Sequence, residues 1–207
     1  MASGHEQTIW NYLKNKIGNE YGVAGLMGNL QAESGLQPNN LENAYETTLG
    51  YTDESYTSAV DNGTYSESQF VNDKAGYGLA QWTYYTRKQA LYDKYKSGGY
   101  SSIGDINLAL DYLWYELENS YAGVLSVLKS ATSIREASDK VLHDFENPAD
   151  QSESVEEYRT ELGTEIYNSL KGTGGDGTGD SGNTPSVSTK KRKLSKLLLF
   201  STILDDF

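Results

Sequence analysis

Ile9, Leu13 and Ile17 recur at four-residue spacing and stop at Gly18, which predicts a first helix and its end. A second helix is predicted from about Glu20 to Ser34, with Val23, Met27 and Leu30 on one face and Gly35 where a C-terminal cap belongs. Gly22, Gly25 and Gly28 inside it cost roughly 1 kcal/mol each relative to Ala, so another backbone or a ligand is expected to come close there. From Leu36 to about Lys74 the periodicity fades. Pro38, Asn39, Asn40 and the hairpin-type pair Asn62-Gly63 make this stretch the expected place for β structure. Helices resume at about Tyr84 to Lys96, stopped by Gly98 and Gly99, then at Ile106 to Asn119 behind Asp105 as N-cap, and at Tyr121 to Ser130. Ser133-Ile134-Arg135-Glu136 and Ser154-Val155-Glu156-Glu157 read as capping boxes. They open two final runs, one through Ala137, Val141, Leu142 and Phe145, the other through Tyr158, Leu162, Ile166 and Leu170. The expected class is mainly α: a helical domain with a small irregular or β insertion between its second and third main helices.

The apolar pattern ends near Leu170, so residues 1–170 are expected to form one domain. Residues 171–189, with GTGGDGTGDSGNTPSVST, read as a Gly/Ser/Thr-rich linker. Residues 190–207, KKRKLSKLLLFSTILDDF, form a basic and then apolar tail. Its apolar run falls far short of the roughly 20 residues that span a bilayer. The tail is a candidate for an anionic membrane surface, an anionic wall polymer or a partner tail protein.

Charge and composition narrow the function. The chain of 207 residues has a formal net charge of -12 and pI ≈ 4.6, so it lacks the basic footprint that nucleic acid requires. Cysteine is absent, which removes disulfides, thiolate nucleophiles and cysteine zinc sites. His5 and His143 have no partner at metal-ligand spacing, and no metal or other cofactor is expected. No basic start with an apolar stretch follows Met1, so no Sec-type signal peptide is expected. Tyr 17 against Phe 4 favours surfaces that offer flat faces with polar rims, as sugar-binding grooves do.

Two short stretches carry candidate chemistry. In QAESG, Glu33 falls on the last turn of a predicted helix, where the carbonyl ends oppose ionisation of a nearby carboxylate and so favour a general acid. The same position also fits a solvated helix end. In GYGLAQWT, Gly76 and Gly78 allow a tight backbone path and Gln81 offers an amide, while Tyr77, Trp82, Tyr84 and Tyr85 supply flat faces. This stretch also fits a glycine turn packed on an aromatic core.

Together the two stretches resemble the lysozyme and soluble lytic transglycosylase superfamily: Glu-Ser-Gly closes a helix rich in small residues, and a Gly-Leu-x-Gln-Trp segment follows. GLMGNLQAESGLQPNNLEN, DNGTYSESQFVNDKAGYGLAQWT, Arg87-Lys88 and FENPAD are similar, in order, to the phage tail lysozyme family over about residues 5–170. The resemblance implies an α+β lysozyme-like fold and cleavage of the β-1,4 glycan backbone of peptidoglycan. Glu33 would act as general acid, and Tyr77, Gly78, Gln81, Trp82 and Tyr84 would line the sugar cleft. It also implies a protein that is virion-associated or released to the cell wall. A second carboxylate, if the reaction uses one, must come within reach of the first. Among Glu42, Glu46, Asp53, Glu54, Asp61 and Asp73, the preferred candidates are Asp73 and Glu42. A lytic transglycosylase, which uses one Glu as acid and then base, and an N-acetylglucosaminidase remain open, as does a non-catalytic wall-binding module.

Overall fold

A computed structural model describes residues 4–172; residues 173–189 of the predicted linker and the whole predicted tail lie outside the described residues. In chain order the helices are α1 (Gly4–Ile17), α2 (Glu20–Ser34), α3 (Asn43–Leu49), α4 (Asp53–Asp61), α5 (Glu67–Asn72), α6 (Tyr85–Ser97), α7 (Ile106–Asn119), α8 (Ala122–Ser130), α9 (Ile134–Val141) and α10 (Glu153–Leu170). A π-helical turn, Leu142–Glu146, continues α9.

Helix α2 is the central rod. Gly22 through Leu30 are all buried, the pattern of a helix surrounded by protein on every side. Its glycines are the reason the neighbours fit. A Cβ on Gly22 would lie 1.9 Å from the Leu128 carbonyl oxygen of α8, and one on Gly25 would lie 2.6 Å from the Ala137 Cβ of α9. On Gly28 it would lie 2.3 Å from the Arg159 carbonyl oxygen of α10. The close approach expected from the glycines is therefore made by three helix backbones. At the C-terminal end Gly35 adopts a left-handed conformation (φ 62°) and its N–H donates to the Gln31 carbonyl at 3.0 Å, which closes the helix directly after Glu33 and Ser34.

The insertion is helical rather than β. Among the described residues there are no strands, only isolated bridges joining Leu41 to Tyr77 and Tyr77 to Trp82. Asn62 caps α4, Gly63 turns left-handed (φ 79°), and the Asn62 Oδ1 accepts from the Thr64 N–H at 2.9 Å. The Asn-Gly pair thus serves as a helix stop, a use its local chemistry allows equally well. Capping boxes do form, at Thr52 with Ser55 and Ser66 with Gln69. Of the two predicted boxes, Ser133 caps α9 but Glu136 reaches back to Thr132, and α10 starts one residue before Ser154.

Carboxylates tie this insertion together. Asp53 accepts from the Leu41 N–H at 2.7 Å, and Asp61 accepts from the Ile103 N–H at 2.7 Å. Asp73 is ion-paired to the fully buried Lys88 at 2.5 Å and also accepts from the Tyr56 and Tyr65 hydroxyls and the Ala75 N–H. Burial lowers the Lys88 ammonium pKa, against the pull of Asp73. Removing one partner of a buried pair leaves an uncompensated charge that costs about 3–5 kcal/mol. We expect Lys88→Met to lower the thermal midpoint by about 10 °C. Adding Asp73→Asn should restore part of that loss, as read in a double-mutant cycle of thermal melts.

Candidate active site

Glu33 lies on the last turn of α2, partly exposed, and its Oε1 accepts a charge-assisted bond from Arg159 Nη2. Arg159 is almost wholly buried on α10. Its Nη1 donates to Asn29 Oδ1 at 3.1 Å, and Asn29 in turn donates to the Gly25 and Ser138 carbonyls at 2.9 and 3.1 Å. Asn29 stands one helical turn before Glu33 on α2, so a single buried amide fixes the guanidinium that holds the carboxylate.

The second predicted stretch packs against the end of the same helix. Ser34 Oγ donates to the Leu79 carbonyl at 2.8 Å, and the Gly78 N–H donates to the Asn40 carbonyl at 2.8 Å. Gly78 turns left-handed (φ 78°), and so does Gln81 (φ 47°), an uncommon state for a residue with a side chain. The Gln81 amide nitrogen donates to Asn40 Oδ1 at 3.0 Å and to the Gly78 carbonyl at 3.0 Å. Glu42 Oε2 accepts from the Gly76 N–H at 2.9 Å. A Cβ built on Gly76 would meet Gln81 Oε1, Glu42 Oε2 and Thr83 Oγ1 within 3.3 Å, so these three polar groups converge over that glycine.

The aromatic residues divide. Tyr77 is fully buried, its hydroxyl 2.7 Å from Thr57 Oγ1. Trp82 is 1% exposed, packs against Tyr112 and donates its indole N–H to Glu116 Oε2 at 2.7 Å. Their ring faces are spent on the interior. Tyr84 is 51% exposed and lies beside the exposed Tyr85, with ring centroids 5.4 Å apart. Of the expected cleft-lining rings, Tyr84 alone presents a flat face to solvent.

Besides Arg159, three further charged residues absent from the sequence-based site complete the constellation. Glu116 is buried on α7, where Arg87 Nε and Nη2 reach its two oxygens at 2.7 and 2.8 Å. Arg87 also lies over the rings of Phe145 and Tyr121, at 5.0 and 5.8 Å from their centroids. Glu146 ends the π-helical turn, and Asn147 after it is left-handed (φ 46°). The Glu146 Oε1 is buried without a hydrogen-bond partner. Burial, then the negative charge of Glu33, push the Glu146 carboxyl up to about 8, while Arg159 and Arg87 pull it down. Glu116 and Arg159 were legible in principle, because each interrupts the apolar stripe of its helix. Glu146 belongs to FENPAD, a stretch quoted for its resemblance without a role.

Asp73 and Glu42 are engaged elsewhere. Asp73 is committed to Lys88, two tyrosines and a backbone amide, whereas Glu42 serves the Gly76 turn. After burial, the negative charge of Glu33 is the next largest influence that raises Glu146.

A central buried helix that ends in a carboxylate, clamped by an arginine and faced by a Gly-rich loop, organises a mainly helical domain. The chain belongs to the phage tail lysozyme family, whose model it matches over residues 5–170. That family has a lysozyme-like, peptidoglycan-degrading role and is associated with phages. Neither the curated proteins nor the solved structures gave a match. Among the described residues no helix is long and apolar enough to cross a membrane.

Proposed function

We propose that the protein is a glycosidase that cleaves β-1,4 bonds of peptidoglycan, with Glu33 as the acid that protonates the leaving glycosidic oxygen. The observation that carries this reading is the site of Glu33: partly exposed at the end of the central helix, yet oriented from within by Arg159 and Asn29. A proton donor needs reach to solvent-borne substrate and a fixed direction, and this arrangement supplies both.

Gln81, Glu42 and Thr83 converge over Gly76 and would meet sugar hydroxyls, with Gly78 letting the chain turn beside them. Tyr84 offers a face for the C–H side of a sugar ring, while Tyr77 and Trp82 hold the segment from behind. Asp73 anchors the insertion. Residues 1–170 are read as the catalytic domain, with the basic tail at 190–207 tethered through 171–189 to favour an anionic wall polymer, a membrane surface or a tail protein.

Mass spectrometry of muropeptides released by the full chain tests the reaction type. Muramidase action predicts reducing N-acetylmuramic acid ends. Reducing N-acetylglucosamine ends would make it a glucosaminidase, 1,6-anhydro ends a transglycosylase, and no release at all a wall-binding module.

A further inference from the structure

His143 stands outside the reaction set out above, on the π-helical turn Leu142–Glu146. Each of its ring nitrogens meets an oxygen: Nδ1 lies 2.8 Å from Gln151 Oε1, and Nε2 lies 2.7 Å from Glu156 Oε1 of α10. The Gln151 amide is itself fixed, because its Nε2 donates to Asn147 Oδ1 at 2.8 Å and to the Pro148 carbonyl at 3.1 Å. A backbone carbonyl can only accept. Glu156 accepts too, since its other oxygen takes a charged bond from Arg135 of α9. The path from Pro148 through Gln151 and His143 to Glu156 therefore has three links and an acceptor at each end. Each link needs one proton, and Gln151, a donor on one side and an acceptor on the other, fills one of them. The imidazole must fill the other two, which only its charged form does.

We propose that His143 is a proton-operated clasp: as imidazolium it fastens the turn that carries Glu146, and the loop at 147–151, to the α10 segment that carries Arg159, and it opens when the proton leaves. Neutral imidazole keeps one N–H for Glu156 and turns a lone pair toward Gln151 Oε1. Rotating the Gln151 amide to donate there sets its oxygen against the Pro148 carbonyl. One link is lost whichever way the amide points. The charged groups about the ring are Glu136, Asp139 and Lys140 of α9 and Asp144 of its own turn, which line one groove with it, and Glu156 of α10. Arg135 is spent on Asp139 and Glu156, and Lys140 on Asp144, so acids outnumber cations there and favour a charged ring. Its hydrogen bonds to Gln151 and then to Glu156, with the charges of Glu156 and Asp139 behind them, raise the His143 pKa against the pull of burial. The side chain is 37% exposed, so its proton exchanges with solvent.

The test is a pH titration of the full chain by NMR, in which His5 and His143 are the two histidines and His143→Gln identifies the second. Below the His143 midpoint both of its ring nitrogens should carry protons, and the midpoint should lie above the one measured for His143 in the urea-unfolded chain. Gln151→Leu and Glu156→Gln should each lower it. Raising the pH through the midpoint should shift the Gln151 side-chain amide signals. It should also cut the exchange protection of the Asn147 N–H, which donates to the Leu142 carbonyl at 2.8 Å, by about two- to fivefold, the scale of a partly exposed charged pair. In His143→Gln that protection should hold steady over the same range. Because the folded pKa is raised, the clasp stabilises fully below the unfolded midpoint and is lost as pH rises through the folded one. Glu146, pushed up to about 8, titrates over this range in both proteins, so denaturant unfolding reads the gap between wild type and His143→Gln, which should narrow as pH rises. A His143 midpoint at or below its unfolded value, a bare ring nitrogen below the midpoint, or Asn147 protection that ignores the midpoint overturns the clasp. If His143→Gln does not fold, Gln151→Leu decides, since it leaves the ring in place and an unmoved midpoint there overturns the clasp equally. None of these measurements depends on the glycosidase reading.

Discussion

Glu33→Gln is expected to slow muropeptide release by at least about a hundredfold while leaving the protein folded. General acid catalysis contributes typically 10²–10⁴-fold, and glutamine at this position has no proton to give. The amide oxygen of glutamine can still accept from Arg159 Nη2, so the buried guanidinium keeps a partner and Asn29 keeps its place. The loss should fall on kcat, with KM within a few-fold, as befits an interaction made in the transition state. The substitution also removes the negative charge that raises Glu146, so Glu146 should ionise more readily beside Arg159. Steady-state release of reducing ends, with circular dichroism as a check on folding, reads the result. Unchanged release would remove Glu33 from the chemistry.

Gly28→Ala is expected to be among the most destabilising single changes in the domain. A Cβ there would stand 2.3 Å from the Arg159 carbonyl oxygen, 2.7 Å from the Gly163 nitrogen and 2.9 Å from the Gly163 Cα. All three are backbone atoms of α10, and no side chain can swing aside. Helix α10 must retreat from α2, and the reciprocal contact of Gly163 with the Ala24 carbonyl oxygen, 2.6 Å from a built Cβ, leaves it no room to slide instead. Overpacking of this kind costs about 3 kcal/mol or more, a fall of roughly 6–12 °C in thermal midpoint for a domain of this size. Because Arg159 rides on α10, any folded fraction should also lose activity through displacement of the guanidinium from Glu33. Gly123→Ala is the control: it lies in α8 with open space around its Cβ and should be neutral or stabilising by up to about 1 kcal/mol in the same melts.

Much of the fold was legible because its signals are local. The span Glu20–Ser34 with its Gly35 cap, and Ile106–Asn119 behind Asp105, form as the periodicity and end residues require. The insertion differs because the signal used there has two meanings. Asn62-Gly63 suits a hairpin or a helix stop, and the choice depends on whether Tyr56 and Val60 find a core to face, which they do. Tyr77 and Trp82 were readable as flat faces but not as buried ones, since burial depends on helices distant in sequence. Glu146 was invisible for the same reason: nothing near it in the chain tells that Glu33, Arg87, Glu116 and Arg159 surround it.

The sequence by itself determined the helical class, the ends of α2 and α7, and the close packing around the α2 glycines. These follow from periodicity, backbone conformation and residue order, which are properties of short stretches. Tertiary structure alone decided which charges act on each carboxylate. Asp73 was withdrawn into an ion pair with Lys88, and Glu146 was brought to Glu33 across more than a hundred residues of chain. Electrostatic coupling depends on distance in space and on local dielectric, and neither is written in the order of residues.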